Sequence, residues 1–337
     1  MSSANTTGGS PGGGAQTVSR LRPGDDVRGV FACTRKDRLL TRSGSAYLAL
    51  ELRDRTGTIS ARAFRDADAL SGRFERGELV RVRGRVERFR DEAVVEVADI
   101  ARATVAVASS SDSASGPDSG ASPDSGAGSD ELDPARFLPT AYRDLDELDG
   151  FLEHLAGEVY DRSYRGLLES LLSDRELRAA FRRAPCTRAG HHAYLGGLLE
   201  HTVAVATLAQ EVCQQHPRLN SDLLLSAAIT HDLGRAREFT YSAEIGLTQE
   251  GRLLGHLVLG QQILSERAGA LGLDDERRLA LLHCVLCHHG PSSAPGGRFA
   301  SPEALALYRI NSLDASIKGA LEHGLGAAAG SPSSGAS

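Results

Sequence analysis

The residues best suited to chemistry are histidines, together with one aspartate placed where a helix must end. "SAAITHDLGR", residues 226 to 235, carries an apolar run straight into His231 and Asp232, then Gly234 and Arg235. His201, His256, His288 and His289 stand at or inside other apolar, helix-patterned runs. One histidine among apolar neighbours is ordinarily a satisfied core residue. Several neutral imidazoles and a carboxylate converging from different helices are instead how a helical bundle builds a metal site in its core. Asp232 has two oxygens and so can bridge two cations, whereas each imidazole binds only one. Imidazole-rich, carboxylate-poor ligation suits Mn²⁺, Fe²⁺, Co²⁺ or Ni²⁺ better than Mg²⁺.

A competing motif lies in the same residues. "CVLCH", Cys284 to His288, has the C-x-x-C-H spacing of covalent haem attachment. That chemistry needs an exported chain, and here the motif sits in a Leu/Val-rich helical run where cysteine serves as a small apolar filler. His154, His216, His283 and His323 are read as surface or core histidines.

The elements that must position these groups follow from periodicity. After residue 134 the apolar residues recur with a helical period in "LDELDGFLEHLAGEV", "YRGLLESLLSDRELRAAFRRA", "YLGGLLEHTVAVATLAQEV", "LLLSAAITHDL", "EGRLLGHLVLGQQILSERAGAL", "ERRLALLHCVLCHHG" and "SPEALALYRINSLDASIKGALEHGL". Residues 134–324 therefore read as an all-α bundle. Residues 20–102 are different. "DVRGVFACTRK", "AYLALELRD", "TISARAF", "LVRVRGRVERF" and "AVVEVADI" alternate with the period of two of half-buried strands, and "DADALSGRF" fits a short helix between the third and fourth. Five strands with a helix in that place is the order of an OB-fold barrel. In the fourth strand Arg81, Arg83 and Arg85 share one face while Val80, Val82 and Val86 mostly take the other. An OB-fold that binds single strands needs a positive groove and aromatic platforms, for which Phe31, Tyr47, Phe64 and Phe89 are candidates.

Charge is distributed to match. The 337 residues carry a formal charge of −6, but residues 20–102 hold 19 Lys and Arg against 14 Asp and Glu, almost all of the cations being arginine. Residues 103–150 hold 2 against 10. Arginine is the side chain best shaped for phosphate, so the first domain points to an anionic polymer. Residues 1–19, 103–133 and 325–337 are rich in Gly, Ser and Ala, the middle one also in Asp, and are expected to be a disordered tail, an acidic disordered linker and a second tail. The amino terminus lacks a basic start followed by an apolar stretch of roughly 7 to 15 residues, and no apolar run approaches the ~20 residues of a membrane span. A cytoplasmic protein follows, without membrane association, in which five cysteines remain thiols.

"HHAYLGGLLEHTVAVA", "AAITHDLGR", "LTQEGRLLGHLVLG", "CHHG" and "SPEALALYRINSLDA" resemble, in order and spacing, the successive motifs of the HD-domain phosphohydrolases, and especially those of YhaM-type 3′-5′ exoribonucleases, which also carry an amino-terminal OB-fold. The resemblance covers residues 21–100 and 134–322. It implies that His201 is the first metal ligand, that His231 and Asp232 are the signature pair, and that His256, His288 and His289 supply further imidazoles. The family's last ligand is an aspartate, and Asn311 stands at the matching position, with Asp314, three residues on and nearly on the same helix face, as the rival placement. Arg235 stands where a lysine is usual and keeps the charge; with His191 or His192 it is expected to hold the substrate phosphate. The resemblance implies metal-assisted hydrolysis of a terminal phosphodiester, with one or two divalent ions, Mn²⁺ favoured, Asp232 and Arg235 catalytic, and single-stranded RNA or DNA bound through Arg81, Arg83 and Arg85. It leaves a homo-oligomer open. Two rival functions remain: a nucleic-acid binder whose helical domain lost activity through Asn311, and a phosphohydrolase of small nucleotides, which would give an OB-fold no task.

Overall fold

The computed structural model describes residues 16–103, 132–293 and 295–325, so most of the two expected tails and of the acidic linker lies outside the described residues. Two compact units divide the chain, one made chiefly of residues up to 138 and the other of residues from 139 onward.

The first unit is a five-stranded closed barrel. Its strands are β1 (Asp26–Leu40), β2 (Ala46–Asp54), β3 (Gly57–Ala63), β4 (Leu79–Phe89) and β5 (Glu92–Arg102), in the order β1-β2-β3-β5-β4 with β4 returning to β1. Helix α1 (Ala67–Ser71) links β3 and β4, and β3 with β5 is the parallel pair that closes the barrel. The alternation read from sequence is the alternation of burial: Val80, Val82 and Val86 pack inside with Phe31, Leu48, Leu52 and Ile100, while Arg81, Arg83 and Arg85 face outward. The disorder expected through residue 19 begins to fail at residue 16. Val18 is buried in the barrel core and donates its backbone N–H to Asp54 Oδ2 at 2.8 Å, so an apolar anchor ties the segment down.

The second unit is helical: α2 (Leu145–Gly157), α3 (Arg162–Leu172), α4 (Arg175–Arg183), α5 (Gly197–Gln215), α6 (Ser221–Thr230), α7 (Arg235–Glu238), α8 (Gln249–Leu253), α9 (Gly255–Ala270), α10 (Asp275–Leu286) and α11 (Pro302–His323). Every residue of α6 from Leu223 to Thr230 is buried, which makes it the central helix around which the others pack. Two sequence segments expected as single helices are each broken. Asp174 interrupts the first by capping α4 through Leu177 N–H. Gly255 interrupts the second, taking φ +69°, which ends α8 before α9 starts. Neither break disturbs the helical period, which is why periodicity runs through both. A short hairpin, β6 (Phe239–Tyr241) with β7 (Ile245–Leu247), lies between α7 and α8 and was absent from the helical reading.

Candidate metal centre

The HD pair sits where α6 stops. His231 caps that helix, and the chain turns through Asp232, Leu233 and Gly234 into α7. Gly234 is required there: a Cβ on it would lie 2.0 Å from the carbonyl oxygen of His256 and 2.5 Å from the N of Gly260. The bare glycine lets the turn press against the first turns of α9, and so brings His256 to Asp232.

Asp232 is 2% exposed and its two oxygens face two different sets of imidazoles. Oδ1 is 3.4 Å from His256 Nε2 and 3.4 Å from His288 Nε2. Oδ2 is 3.6 Å from His231 Nε2 and 3.9 Å from His201 Nε2. His289 is the exposed member, its Nε2 2.8 Å from His256 Nε2.

The other ring nitrogen of four of these histidines has a partner that fixes the ring. His231 Nδ1 meets the carbonyl of Ala228 at 2.8 Å and His288 Nδ1 that of Val285 at 2.6 Å, each three residues back along its own helix. His201 Nδ1 lies 2.6 Å from Asp314 Oδ2, and His256 Nδ1 3.5 Å from Glu238 Oε1. An acceptor at Nδ1 places the proton there and leaves the Nε2 lone pair aimed inward. The inward lone pairs then crowd one another, with His201 Nε2 and His231 Nε2 only 3.2 Å apart. Asp232 Oδ1 and His288 Nε2 are buried with no hydrogen-bond partner at all. Buried lone pairs converging without donors are costly alone and are satisfied together by a cation. The donor set therefore fits divalent metal, with Asp232, His256, His288 and His289 forming one group of ligand atoms and His201, His231 and Asp232 another.

Electrostatics agree. Burial by itself raises the Asp232 carboxyl, but the Arg235 guanidinium and the imidazoles outweigh it and hold the group well below the usual carboxylate range. Burial pushes His231 well below the ordinary imidazole range, and burial followed by the Arg235 charge lowers His256, which favours the neutral form of both rings.

Arg235 departs from expectation. It is 8% exposed, with Nε 2.7 Å from Asp232 Oδ2, in ion contact though not aligned for a hydrogen bond, and Nη1 donates to Glu238 Oε2 at 3.2 Å. A guanidinium so engaged balances the charge of Asp232 and Glu238 rather than standing open to a phosphate. His192 is likewise withdrawn: it is 2% exposed, with Nε2 3.1 Å from Asp314 Oδ2 and Nδ1 3.0 Å from Tyr194 Oη. It supports the site instead of touching substrate. His191 is half-buried, and its Nδ1 has no partner.

Asn311 is buried and its amide nitrogen donates to the His288 carbonyl at 3.3 Å. One turn further along α11, Asp314 accepts from His201 and His192, and these contacts outweigh burial to hold its carboxyl far below the usual range. Sequence reading did not find Glu238, nor Cys186, whose Sγ lies 3.6 Å from Asp232 Oδ2. Glu238 follows Arg235 by three residues, a helical spacing that could have suggested the pair. Nothing in the spacing of Cys186 marks it. Cys284 and Cys287 are fully buried, which closes them to covalent attachment of haem.

On the barrel, Arg83 pairs with Asp99 at 3.0 Å on the outer face. Tyr47 and Phe64 stack at 5.3 Å on the surface, and Arg62 lies 4.0 Å over the ring of half-exposed Phe89. Phe31, also a candidate platform, is wholly buried in the core and cannot meet a base.

Residues 198–316 match the HD domain model and residues 29–101 the model for the OB-fold nucleic acid binding domain. The chain is 27% identical over 310 residues to the 3′-5′ exoribonuclease YhaM of Shouchella clausii, covering 90% of this chain and 88% of that protein. It is 26% identical over 301 residues to the Halalkalibacterium halodurans protein of the same name, covering 87% and 84%. Against Bacillus subtilis YhaM the identity is 27% over 278 residues, 82% of this chain and 80% of the relative. With an OB-fold and an HD domain in the same order and alignments running along most of both chains, the protein is similar in domain order and over most of its length to the YhaM-type exoribonucleases, and it carries an HD domain.

Proposed function

We propose that the protein is a metal-dependent 3′-5′ exoribonuclease acting on single-stranded RNA, with single-stranded DNA as a second substrate. The observation that carries this reading is Asp232 with one oxygen toward His256 and His288 and the other toward His231 and His201. The YhaM proteins, to which the chain is similar over most of its length, carry that activity in their names.

His201, His231 and Asp232 would hold one ion and Asp232, His256, His288 and His289 a second. Divalent ions at such a site act as Lewis acids that acidify water and screen the negative oxygens of a phosphodiester. The chain's own residues do the rest. Asp232 stays ionised because Arg235 sits against it. Glu238 ties Arg235 to His256, so the carboxylate, the guanidinium and one imidazole are fixed as a unit. Asp314 holds the His201 ring in its tautomer. His289 is the exposed ligand of its group, so the ion it would hold is the one open to substrate from the surface.

Mn²⁺ is the ion we assign, since imidazole-dominated ligation disfavours Mg²⁺. The stacked Tyr47 and Phe64 rings serve as base platforms and Arg81, Arg83 and Arg85 as phosphate contacts. No helix among the described residues is long and apolar enough to cross a membrane. We assign the protein to the cytoplasm.

The test is incubation with 5′-labelled single-stranded RNA and DNA, with and without Mn²⁺. Stepwise shortening from the 3′ end that requires the ion, with release of nucleoside monophosphates, is expected. Internal fragments, or hydrolysis of mononucleotides alone, would replace this reading with another.

A further inference from the structure

A loop, not a helix, brings two more ligand-type side chains to the Oδ2 side of Asp232. Residues 186–191 are closed on themselves: Cys186 N–H donates to the His192 carbonyl at 3.0 Å, Thr187 Oγ1 to the His191 carbonyl at 2.8 Å, and Gly190 N–H to Thr187 Oγ1 at 2.9 Å. This closure holds Cys186 and His191 on one side of the loop, and their ligand atoms lie within 4.8 Å of each other and of a ring nitrogen of His201. Cys186 Sγ is also 3.6 Å from Asp232 Oδ2, which is itself 3.9 Å from His201 Nε2. The edges of a tetrahedron with metal–sulfur and metal–nitrogen arms of about 2.0–2.3 Å are about 3.3–3.8 Å long. The separations of 3.6 and 3.9 Å stand close to these edges.

Three features argue against a merely structural cysteine. Cys186 is wholly buried, yet its neighbours are His191, His201 and Asp232, which a small apolar filler would not need. His191 Nδ1 is a buried nitrogen with no hydrogen-bond partner. Asp232 is the one carboxylate shared by both groups of imidazoles, while the position at which the family has its last aspartate is the neutral Asn311, turned to the His288 carbonyl.

We propose that Cys186 is a metal ligand of this centre: with His191 it adds to the ion that His201, His231 and Asp232 would hold, giving that one position a thiolate and a selectivity for borderline-soft ions such as Zn²⁺ or Co²⁺. The Sγ proton passes to solvent as the sulfur–metal bond forms, so the position gains the negative charge that Asn311 does not supply. A position of this kind binds Zn²⁺ in preference to Mn²⁺, because thiolate is a soft donor. The inference rests on the metal reading of the centre and not on its ribonuclease activity.

Co²⁺ added to the metal-free full-length protein provides the test, read by absorption. Imidazole and carboxylate ligation gives weak visible bands, and a thiolate ligand adds an intense charge-transfer band in the near ultraviolet. The wild type is expected to show both. Cys186→Ala, checked for fold by circular dichroism, is expected to lose the near-ultraviolet band and to bind Zn²⁺ at least about tenfold more weakly at that position, whereas Cys287→Ala keeps the band. Visible bands without a charge-transfer band in the wild type, or a band that survives Cys186→Ala, would overturn the assignment while leaving the metal centre standing. Failure to bind Co²⁺ at all would overturn the metal reading and this inference with it.

Discussion

At Asp232 one carboxylate is asked to serve two groups of imidazoles while a guanidinium presses on it at 2.7 Å. Asp232→Ala should therefore reduce Mn²⁺-dependent RNA shortening by more than about a hundredfold, beyond what loss of an outer partner costs. Circular dichroism should remain that of the wild type, and a folded variant with undiminished activity would remove Asp232 from the centre. The neighbouring question concerns the last ligand. Asp314 contacts His201 and His192, whereas Asn311 spends its amide on a backbone carbonyl. Asp314→Ala is expected to weaken Mn²⁺ binding about 10- to 100-fold by freeing the His201 ring, and Asn311→Asp to change it little. The opposite ranking in a Mn²⁺ titration would restore position 311 as the ligand site. The histidines and Asp232 were legible in sequence because their residue types carry chemistry wherever they lie. The burial of Arg235 and His192 was not, since it depends on how the surrounding helices close over them, as Asp314, 122 residues away, does over His192.

The elements show the same division between local and distant information. Helix α6 was readable from its apolar run and the barrel from its alternation, both local patterns. The breaks at Asp174 and Gly255 and the β6–β7 hairpin depend on turn conformations that leave those patterns intact. Four of the helices, α2, α3, α4 and α10, start at an aspartate whose carboxylate accepts from their first N–H groups. Asp161 accepts from the N–H groups of Ser163 and Tyr164 at the start of α3 and pairs with Arg277 at 2.9 Å. Burial works to raise its carboxyl, but the Arg277 contact and the two backbone donors prevail and lower it below 3.8. A carboxylate whose folded value is depressed stabilises above its unfolded value, and the contribution fades as pH falls through the folded one. Asp161→Ala should then cost about 1 kcal/mol at neutral pH, a difference from the wild type that shrinks below about pH 4 in urea unfolding. An undiminished difference at pH 3 would mean that the cap acts without its charge.

On the scale of the whole molecule, a first domain with 19 cationic against 14 anionic residues is joined to a catalytic unit by an acidic stretch. Replacing Arg81, Arg83 and Arg85 together by Gln is expected to flatten the dependence of RNA affinity on salt by about 0.7 log units for each phosphate no longer neutralised, with hydrolysis of very short oligonucleotides unchanged. Equal slopes for variant and wild type would move strand binding to another surface. The clasp of His201 and His192 on Asp314 bears on the order in which the molecule comes to life. These partners are 113 and 122 residues apart in sequence, so the carboxylate reaches the ring only after nearly the entire helical unit has been threaded between them. Contacts of such separation carry a large loop-closure cost before they can form. A chain arrested or nicked before α11 carries the His-Asp pair intact and still lacks an oriented first ligand. Full grip on metal at the His201 side is thereby reserved for chains that have reached α11.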